Sequence, residues 1–565
     1  MQEYEIRYQQ WLESDLVDEA TKEELRSIAD DKKEIEERFY RDLEFGTGGL
    51  RGVMAAGTNR MNIYTVRRAT QGLANYLLTK DPNTAQMGVA IAYDSRNNSP
   101  LFAQASAEVL NGNGIKTYVF ESLRPTPELS FAVRTLGCKS GIVITASHNP
   151  SKYNGYKAYW DDGCQVLAPM DHEIIDEVDK VDMFDGVKVM PRQEAEEKGL
   201  YHVLGEEMDK QFIDAVSKVI IDPETLKKTA SGLRIVYTPL HGAGLMPVTR
   251  ALKQCGFTDV TVVPEQAQPD GNFPTASYPN PEDIKVFSLA IELGKKIDAD
   301  ILIATDPDAD RMGIVVKSDK GYVPFTGNMV GVLFAAYILD ARKKTGNLPA
   351  DSFIVKTIVS TEMIRALTDE YNVELREVLT GFKYIGEQMT KSETEGGTYL
   401  FGFEESYGYL TGMHARDKDS VNAVLLVSEL AAYYKSIGMN LVDAMNALYE
   451  KYGYYKETQV SLAFEGIEGV QKIRDIMDTL RGNAKPSYGG KKVLEIKDYK
   501  DGDCDGLPAS NVLRFILEDN CWICVRPSGT EPKIKFYFGV KGSSEEDALS
   551  IIEDLKKDTV DEFRE

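Results

Sequence analysis

The sequence has few cysteines, no long apolar run and no excess of positive charge, and each shortage excludes a class of function. Its six cysteines, Cys138, Cys164, Cys255, Cys504, Cys521 and Cys524, are scattered along 565 residues. That is no disulfide framework, and reduced thiols are expected. Cys521 and Cys524 form a C-x-x-C pair, but it lies in the apolar run Cys521-Trp522-Ile523-Cys524-Val525. Such a run reads as a strand, not as the helix N-terminus of a redox or metal site. No stretch approaches the ~18 to 20 apolar residues needed to span a bilayer. The polar, acidic start from Met1 to Ser14 is unlike a secretory signal, so a cytoplasmic protein without a membrane partner is expected. With 65 basic against 89 acidic residues the net charge is -24, which disfavours nucleic acid or anionic lipid as a partner. An anionic substrate must therefore be held by a local basic cluster.

Low-complexity tracts and visible internal repeats are also missing, as are the phosphate-binding patterns G-x-x-x-x-G-K-[ST] and G-x-G-x-x-G. What is present is an ordinary enzyme-like composition, 42% hydrophobic and 27% charged. At ~150 residues per domain the length predicts about four domains. Residues 1 to about 44 contain neither Pro nor Gly, and Leu12, Leu16, Leu25, Ile28 and Ile35 recur at helical spacing, which predicts helices packed on the first domain. Strand, loop and helix then alternate. Val89 to Tyr93, Gly141 to Thr145, Leu233 to Thr238, Ile301 to Thr305 and Phe353 to Ile358 read as strands, predicting an α/β architecture with mixed or mostly parallel sheets. Boundaries near 205, 317 and 450 give domains of 1–205, 206–317, 318–450 and 451–565.

Several strands end in polar loops, Asp94-Ser95-Arg96 and Pro239-Leu240-His241-Gly242 among them, and it is at such strand ends that open α/β sheets gather ligands. Thr145-Ala146-Ser147-His148-Asn149-Pro150 follows the strand Gly-Ile-Val-Ile, so Ser147 is held on a rigid support. This permits a nucleophile but does not establish one, because a serine there also serves to cap a helix or brace a turn. Glycines flank Ser147 on neither side, which weakens an α/β-hydrolase reading, although His148 and His241 leave Ser-His-Asp chemistry open. In Asp306-Pro307-Asp308-Ala309-Asp310-Arg311, carboxylates at alternate positions would repel one another without a cation. The loop fits an EF-hand poorly, since Arg311 stands where glycine is needed and Lys317 where a bidentate Glu is needed. Magnesium, which takes few carboxylates plus phosphate oxygens and water, suits it better.

Near the C-terminus, Arg526-Pro527-Ser528-Gly529-Thr530-Glu531-Pro532-Lys533-Ile534-Lys535 combines a cation, hydroxyls and a glycine as a phosphate cradle would, though a plain turn has the same composition. Gly402-Phe403-Glu404-Glu405-Ser406-Tyr407-Gly408 offers a carboxylate and a hydroxyl to sugar hydroxyls, and is equally a turn between strands. Gly46-Thr47-Gly48-Gly49-Leu50-Arg51-Gly52 and Gly381-Phe382-Lys383 each set a cation beside glycine.

Taken in order, G-T-G-G-L-R, T-A-S-H-N-P, D-P-D-A-D-R, G-F-K, F-E-E-S-Y-G and R-P-S-G-T-E-P closely resemble the α-D-phosphohexomutase family from about residue 41 to the C-terminus, and the helical start resembles its larger phosphoglucomutase and phosphopentomutase branch. The resemblance implies four domains around a central cleft, three similar mixed-sheet α/β domains and a smaller α+β C-terminal domain. It implies a phosphorylated Ser147, with Asp306, Asp308 and Asp310 holding Mg²⁺ together with an oxygen of that phosphate. Arg51, His148, Lys157, Arg311 and Lys383 would surround the transferring phosphoryl group, Lys157 or Lys383 acting as general acid and base. Glu404 and Ser406 would contact the sugar, and Arg526, Ser528, Gly529, Thr530 and Lys535 the nonreacting phosphate. The implied reaction interconverts glucose 1-phosphate and glucose 6-phosphate, with glucose 1,6-bisphosphate as intermediate and activator, by a monomer or weak homodimer. Phe403 replaces a glycine of the commoner sugar-loop pattern G-E-E-S, which leaves mannose or pentose phosphates as alternatives.

Overall fold

The computed structural model describes residues 2–46, 48–464, 466–502, 504–528 and 533–564. The chain forms two compact units, one of residues 1–220, 230–314 and 412–425, the other of 221–229, 315–411 and 426–565.

The first unit opens with helices Glu3–Glu13, Glu19–Ser27 and Lys32–Phe39, the second and third capped by Asp18 and Asp31 side chains that accept from Thr21 N and Glu34 N. They close over Tyr8, Trp11, Leu25, Ile35 and Phe39 and pack on Ala56 and Tyr64. Leu16, expected among the anchors, is exposed; the large ring of Trp11 does that work, edge-on to Phe39 and Tyr64.

Strands β1 (Gly49–Val53), β2 (Val89–Tyr93), β3 (Thr117–Phe120), β4 (Ser140–Ile144), β5 (Tyr153–Trp160) and β6 (Tyr201–Leu204) form a mixed sheet in the order β1-β5-β4-β2-β3-β6. Both faces are covered, as successive residues show: Val89 and Ile91 join a core with the helices Ile63–Lys80 and Ser99–Gly112, whereas Ala90 and Ala92 join one with the helix Thr126–Leu136. Strands β7 (Arg234–Thr238), β8 (Asp259–Val262), β9 (Ile301–Thr305), β10 (Met312–Ser318) and β11 (Gly321–Pro324) make a second sheet, ordered β11-β10-β9-β7-β8; the division between the units falls within β10.

In the second unit β12 (Ser352–Thr357), β13 (Glu374–Val378), β14 (Thr398–Glu404) and β15 (Gly408–Thr411) form a mixed sheet, β13-β12-β14-β15. Its last sheet, in the order β16-β21-β20-β19-β18-β17, comprises β16 (Tyr454–Ala463), β17 (Ser487–Tyr488), β18 (Lys491–Asp498), β19 (Leu513–Leu517), β20 (Trp522–Pro527) and β21 (Lys533–Gly542). Neighbouring strands in it run antiparallel, and helices Gly466–Gly482 and Glu545–Val560 back one face. Cys521 and Cys524 belong to separate core clusters, and burial pushes both thiols up, Cys524 to about 12. Neither is poised for thiolate chemistry.

Candidate active site

The loops after β4 and β9 meet in the first unit. Ser147 stands in the left-handed region at φ 50, a costly conformation for a residue with a Cβ. Buried Arg96 holds it there: its guanidinium donates to the carbonyls of Ser147 (2.5 Å), Pro150 (3.0 Å) and Tyr153 (3.1 Å) and also to that of Asn149, and it pairs with Asp94 at 3.3 Å. Ser147 Oγ lies 3.0 Å from His148 Nδ1 and donates to Asp306 Oδ2 at 2.9 Å.

Asp306, Asp308 and Asp310 are buried, with one carboxylate oxygen from each within 4.8 Å of the others. Asp306 Oδ1 accepts from the Asp310 and Arg311 amides, both at 3.0 Å. Asp308 Oδ2 accepts from Thr126 Oγ1 at 2.9 Å and Lys157 Nζ at 3.0 Å. Asp310 Oδ2 receives Lys418 Nζ at 2.9 Å and Lys157 Nζ at 3.4 Å. Among the described residues, Asp308 Oδ1 and Asp310 Oδ1 have no hydrogen-bond donor although both are buried. Asp310 Oδ1 lies 4.0 Å from Arg311 Nε, too far for a hydrogen bond, and two buried anionic oxygens without a donor fit a hard divalent cation. The loop is seated on Pro239-Leu240-His241-Gly242: Ala243 N donates to Pro307 O, and a Cβ on Gly242 would stand 2.4 Å from Pro307 Cα.

Charge around the triad is uneven. Burial, then Asp308 and Asp310, push the Asp306 carboxyl well up, for its own donors are amides and a hydroxyl. Burial works the same way on Asp310, but Lys418, Lys157 and Arg311 outweigh it and hold that carboxyl well down. Burial opposes the charge on Lys157, yet Asp308 and Asp310 raise it. Burial first, then Arg311 and Arg51, push the imidazole of His148 well below its usual range, which makes it neutral at pH 7. Arg311 pairs with Glu282 at 2.6 Å, and Arg51, exposed on β1, reaches Asn149 Oδ1 at 3.4 Å.

Ser147, His148, Arg51, Lys157, Arg311 and the three aspartates are thus brought together. The hydrolase arrangement left open by the sequence is not formed. His241 is tied to Gln268 O and Thr275 Oγ1, and among the described residues no carboxylate accepts from the other ring nitrogen of His148. Reading the sequence placed Arg96 in a strand-end loop without giving it a role, and missed Thr126, Tyr278, Glu282 and Lys418. Tyr278 sets its ring edge-on to His148 at 5.4 Å. The one visible signal was the charged run Arg416-Asp417-Lys418-Asp419-Ser420 ahead of an apolar helix.

The other predicted residues lie in the second unit. Glu404 ends β14 and accepts from Gly381 N at 2.9 Å, which joins the Glu404-Glu405-Ser406 turn to the start of helix Phe382–Glu395, where Lys383 sits. Gly381, at φ 127, makes that bend. Phe403 is fully buried and stacked on Phe401 at 5.5 Å, so its side chain serves the core. Arg526 and Lys535 face each other across β20 and β21, and Ser528 N donates to Lys533 O at 2.7 Å. Gly529 and Thr530, like Thr47, fall outside the described residues.

Four family models match in order: phosphoglucomutase/phosphomannomutase alpha/beta/alpha domain I over residues 42–184, domain II over 210–321, domain III over 326–452 and the C-terminal domain over 468–555. The chain belongs to the phosphoglucomutase/phosphomannomutase family. Within it, the chain is 37% identical over 518 residues to a phosphoglucomutase of Staphylococcus haemolyticus, covering 89% of this chain and 91% of that one. It is 36% identical over 533 residues to that of Staphylococcus aureus strain MRSA252, covering 92% and 93%. Two solved structures share the fold. Parafusin, a phosphoglucomutase from Paramecium, superposes in its open form with TM-score 0.70 at 18% identity over 93% of this chain and 96% of its own. A phosphoglucomutase/phosphomannomutase family protein from Burkholderia thailandensis does so with TM-score 0.67 at 19% identity over 91% and 96%.

Proposed function

We propose that the chain interconverts α-D-glucose 1-phosphate and glucose 6-phosphate, with Ser147 as the phosphoryl carrier and glucose 1,6-bisphosphate as the intermediate. The observation that carries this is Ser147 Oγ bonded to Asp306 at the edge of a buried triad in which two carboxylate oxygens accept no hydrogen bond among the described residues. Asp306, Asp308 and Asp310 would hold Mg²⁺ together with an oxygen of phosphorylated Ser147. Such an ion neutralises charge on the moving phosphoryl group. Arg51 and Arg311 stabilise the same oxygens, and Lys157 or Lys383 serves as general acid and base toward the sugar hydroxyl. Neutral His148 leaves the positive charge at the site to these lysines and arginines. Glu404 and Ser406 orient the sugar, while Arg526, Ser528, Gly529, Thr530 and Lys535 hold its other phosphate. The domains are those bounded near 205, 317 and 450, in a cytoplasmic monomer or weak homodimer.

Incubation with glucose 1,6-bisphosphate and intact-mass measurement should show one phosphoryl group, absent in Ser147→Ala. A Ser147→Ala protein that kept full activity would overturn the scheme. Comparing kcat/KM on glucose 1-phosphate, mannose 1-phosphate and ribose 1-phosphate tests the sugar, and a clear preference for ribose would replace glucose in this reading.

A further inference from the structure

Each carboxylate of the triad is held by protein donors at one oxygen and turned to the site with the other. Asp306 gives Oδ1 to two backbone amides, Asp308 gives Oδ2 to Thr126 and Lys157, and Asp310 gives Oδ2 to Lys418 and Lys157. What is left is Asp306 Oδ2 at Ser147, Asp308 Oδ1 and Asp310 Oδ1.

The donors are themselves fixed. Thr126 opens the helix Thr126–Leu136, is fully buried, and bonds Asp308 a second time through its own amide, at 2.9 Å to the carbonyl. Lys418 is held by Asp417, whose Oδ1 accepts from its amide at 2.8 Å and lies 3.3 Å from its Nζ, and Asp417 in turn accepts from Tyr159 at 2.7 Å. The next residues lock the segment in place: Asp419 Oδ1 accepts from Val421 N and Asn422 N, and Ser420 Oγ donates to Ala309 O, inside the aspartate loop, at 2.5 Å. A carboxylate that turned to present both oxygens would have to break these bonds.

We propose that this reservation of the second oxygens makes the site selective for a small octahedral divalent cation over calcium, with Thr126 and Lys418 as the specificity-determining residues. Calcium takes about six to eight oxygens and readily uses bidentate carboxylates, whereas magnesium takes about six in tight octahedral order and accepts single oxygens and water. Three carboxylates limited to one oxygen each serve the second ion and starve the first. The inference rests on the metal reading above.

It is tested with Lys418→Met and Thr126→Val, each near in shape to the native residue, using the full chain and Mn²⁺ titration followed by paramagnetic resonance, with Mg²⁺ and Ca²⁺ as competitors. Removing a lysine charge tightens every divalent cation, so the ratio of the calcium to the magnesium Kd is the quantity to read. The unaltered protein should favour magnesium, and the ratio should fall roughly tenfold in Lys418→Met, where only the longer 3.4 Å contact of Lys157 is left to hold the second oxygen of Asp310. Thr126→Val should lower it in the same direction and carries the test alone if Lys418→Met does not fold. A ratio unchanged in both variants, with Mn²⁺ bound and lost in Asp308→Asn, overturns the selectivity and leaves the metal reading standing. Mn²⁺ binding that Asp308→Asn does not weaken overturns both.

Discussion

At the scale of single residues, the site divides into side chains that face the chemistry and side chains that aim them. Arg96 shows the second kind. Four carbonyls of the serine loop converge on one planar guanidinium, a pattern a lysine ammonium on its flexible stem cannot reproduce. Arg96→Lys is expected to lower kcat by about 100-fold with little change in KM, because Ser147 shifts while the sugar contacts do not. Steady-state kinetics decides it, and a kcat left unchanged would mean the loop tolerates the change. The contrast between what the sequence disclosed and what it hid is plain here. Asp306, Asp308 and Asp310 stand within five residues of one another, so their mutual repulsion is readable as spacing. Thr126 reaches Asp308 across 182 positions and Arg96 reaches Ser147 across 51, and no local pattern announces such contacts.

At the scale of elements, β-branched runs bounded by polar turns located strands well, since β9 spans Ile301–Thr305 as expected and β4 is displaced by one residue. The helical start was harder: helical spacing picked Leu16, which is exposed, because which face of a short helix is covered depends on a partner the spacing does not contain. Buried polar joints between elements were equally hidden. Glu429, on helix Ser420–Ser436, accepts from the amides of Ile221 (3.1 Å) and Asp222 (2.6 Å) and from Tyr337 Oη (3.0 Å). Burial pushes its carboxyl up to about 7 even against those three donors. A carboxyl raised in the folded state favours folding most below its ordinary pKa of 4.5, and that contribution is lost as pH rises toward 7. Glu429→Gln keeps an acceptor without the charge, so it is expected to flatten the fall in Tm between about pH 5 and 7.5. Melting curves across that range check it; parallel pH dependences in both proteins would count against the assignment.

At the scale of the whole molecule, a chain carrying a net charge of -24 is under self-repulsion at neutral pH, which protonation of carboxylates should relieve. Buried ion networks oppose that relief. In the second unit Lys356 Nζ lies 2.9 Å from Glu362 and 2.8 Å from Glu377, Arg514 reaches the same two carboxylates at 2.8 and 3.5 Å, and Arg365 at 3.0 and 2.5 Å. Lys356 is on β12, Glu377 on β13 and Arg514 on β19, so the cluster joins the third sheet to the fourth. Burial works against the charge on Glu362, but Lys356, Arg514 and Arg365 hold its carboxyl down to about 2, and the same cations hold Glu377 well down. A depressed carboxyl stabilises the fold above its ordinary pKa and loses that contribution as pH falls. The window for Glu362 therefore runs from about pH 4.5 down to about 2, below the isoelectric point of about 4.9, so the lost network and a growing positive charge act together there and the second unit should unfold in it. Glu377→Gln leaves three cations sharing one carboxylate and is expected to cost ~3 kcal/mol at pH 7, with a smaller further loss on acidification than the native chain. Urea unfolding at pH 7 and pH 4 measures both quantities, and a variant as stable as the native chain at pH 7 would show that the network binds the two sheets only weakly.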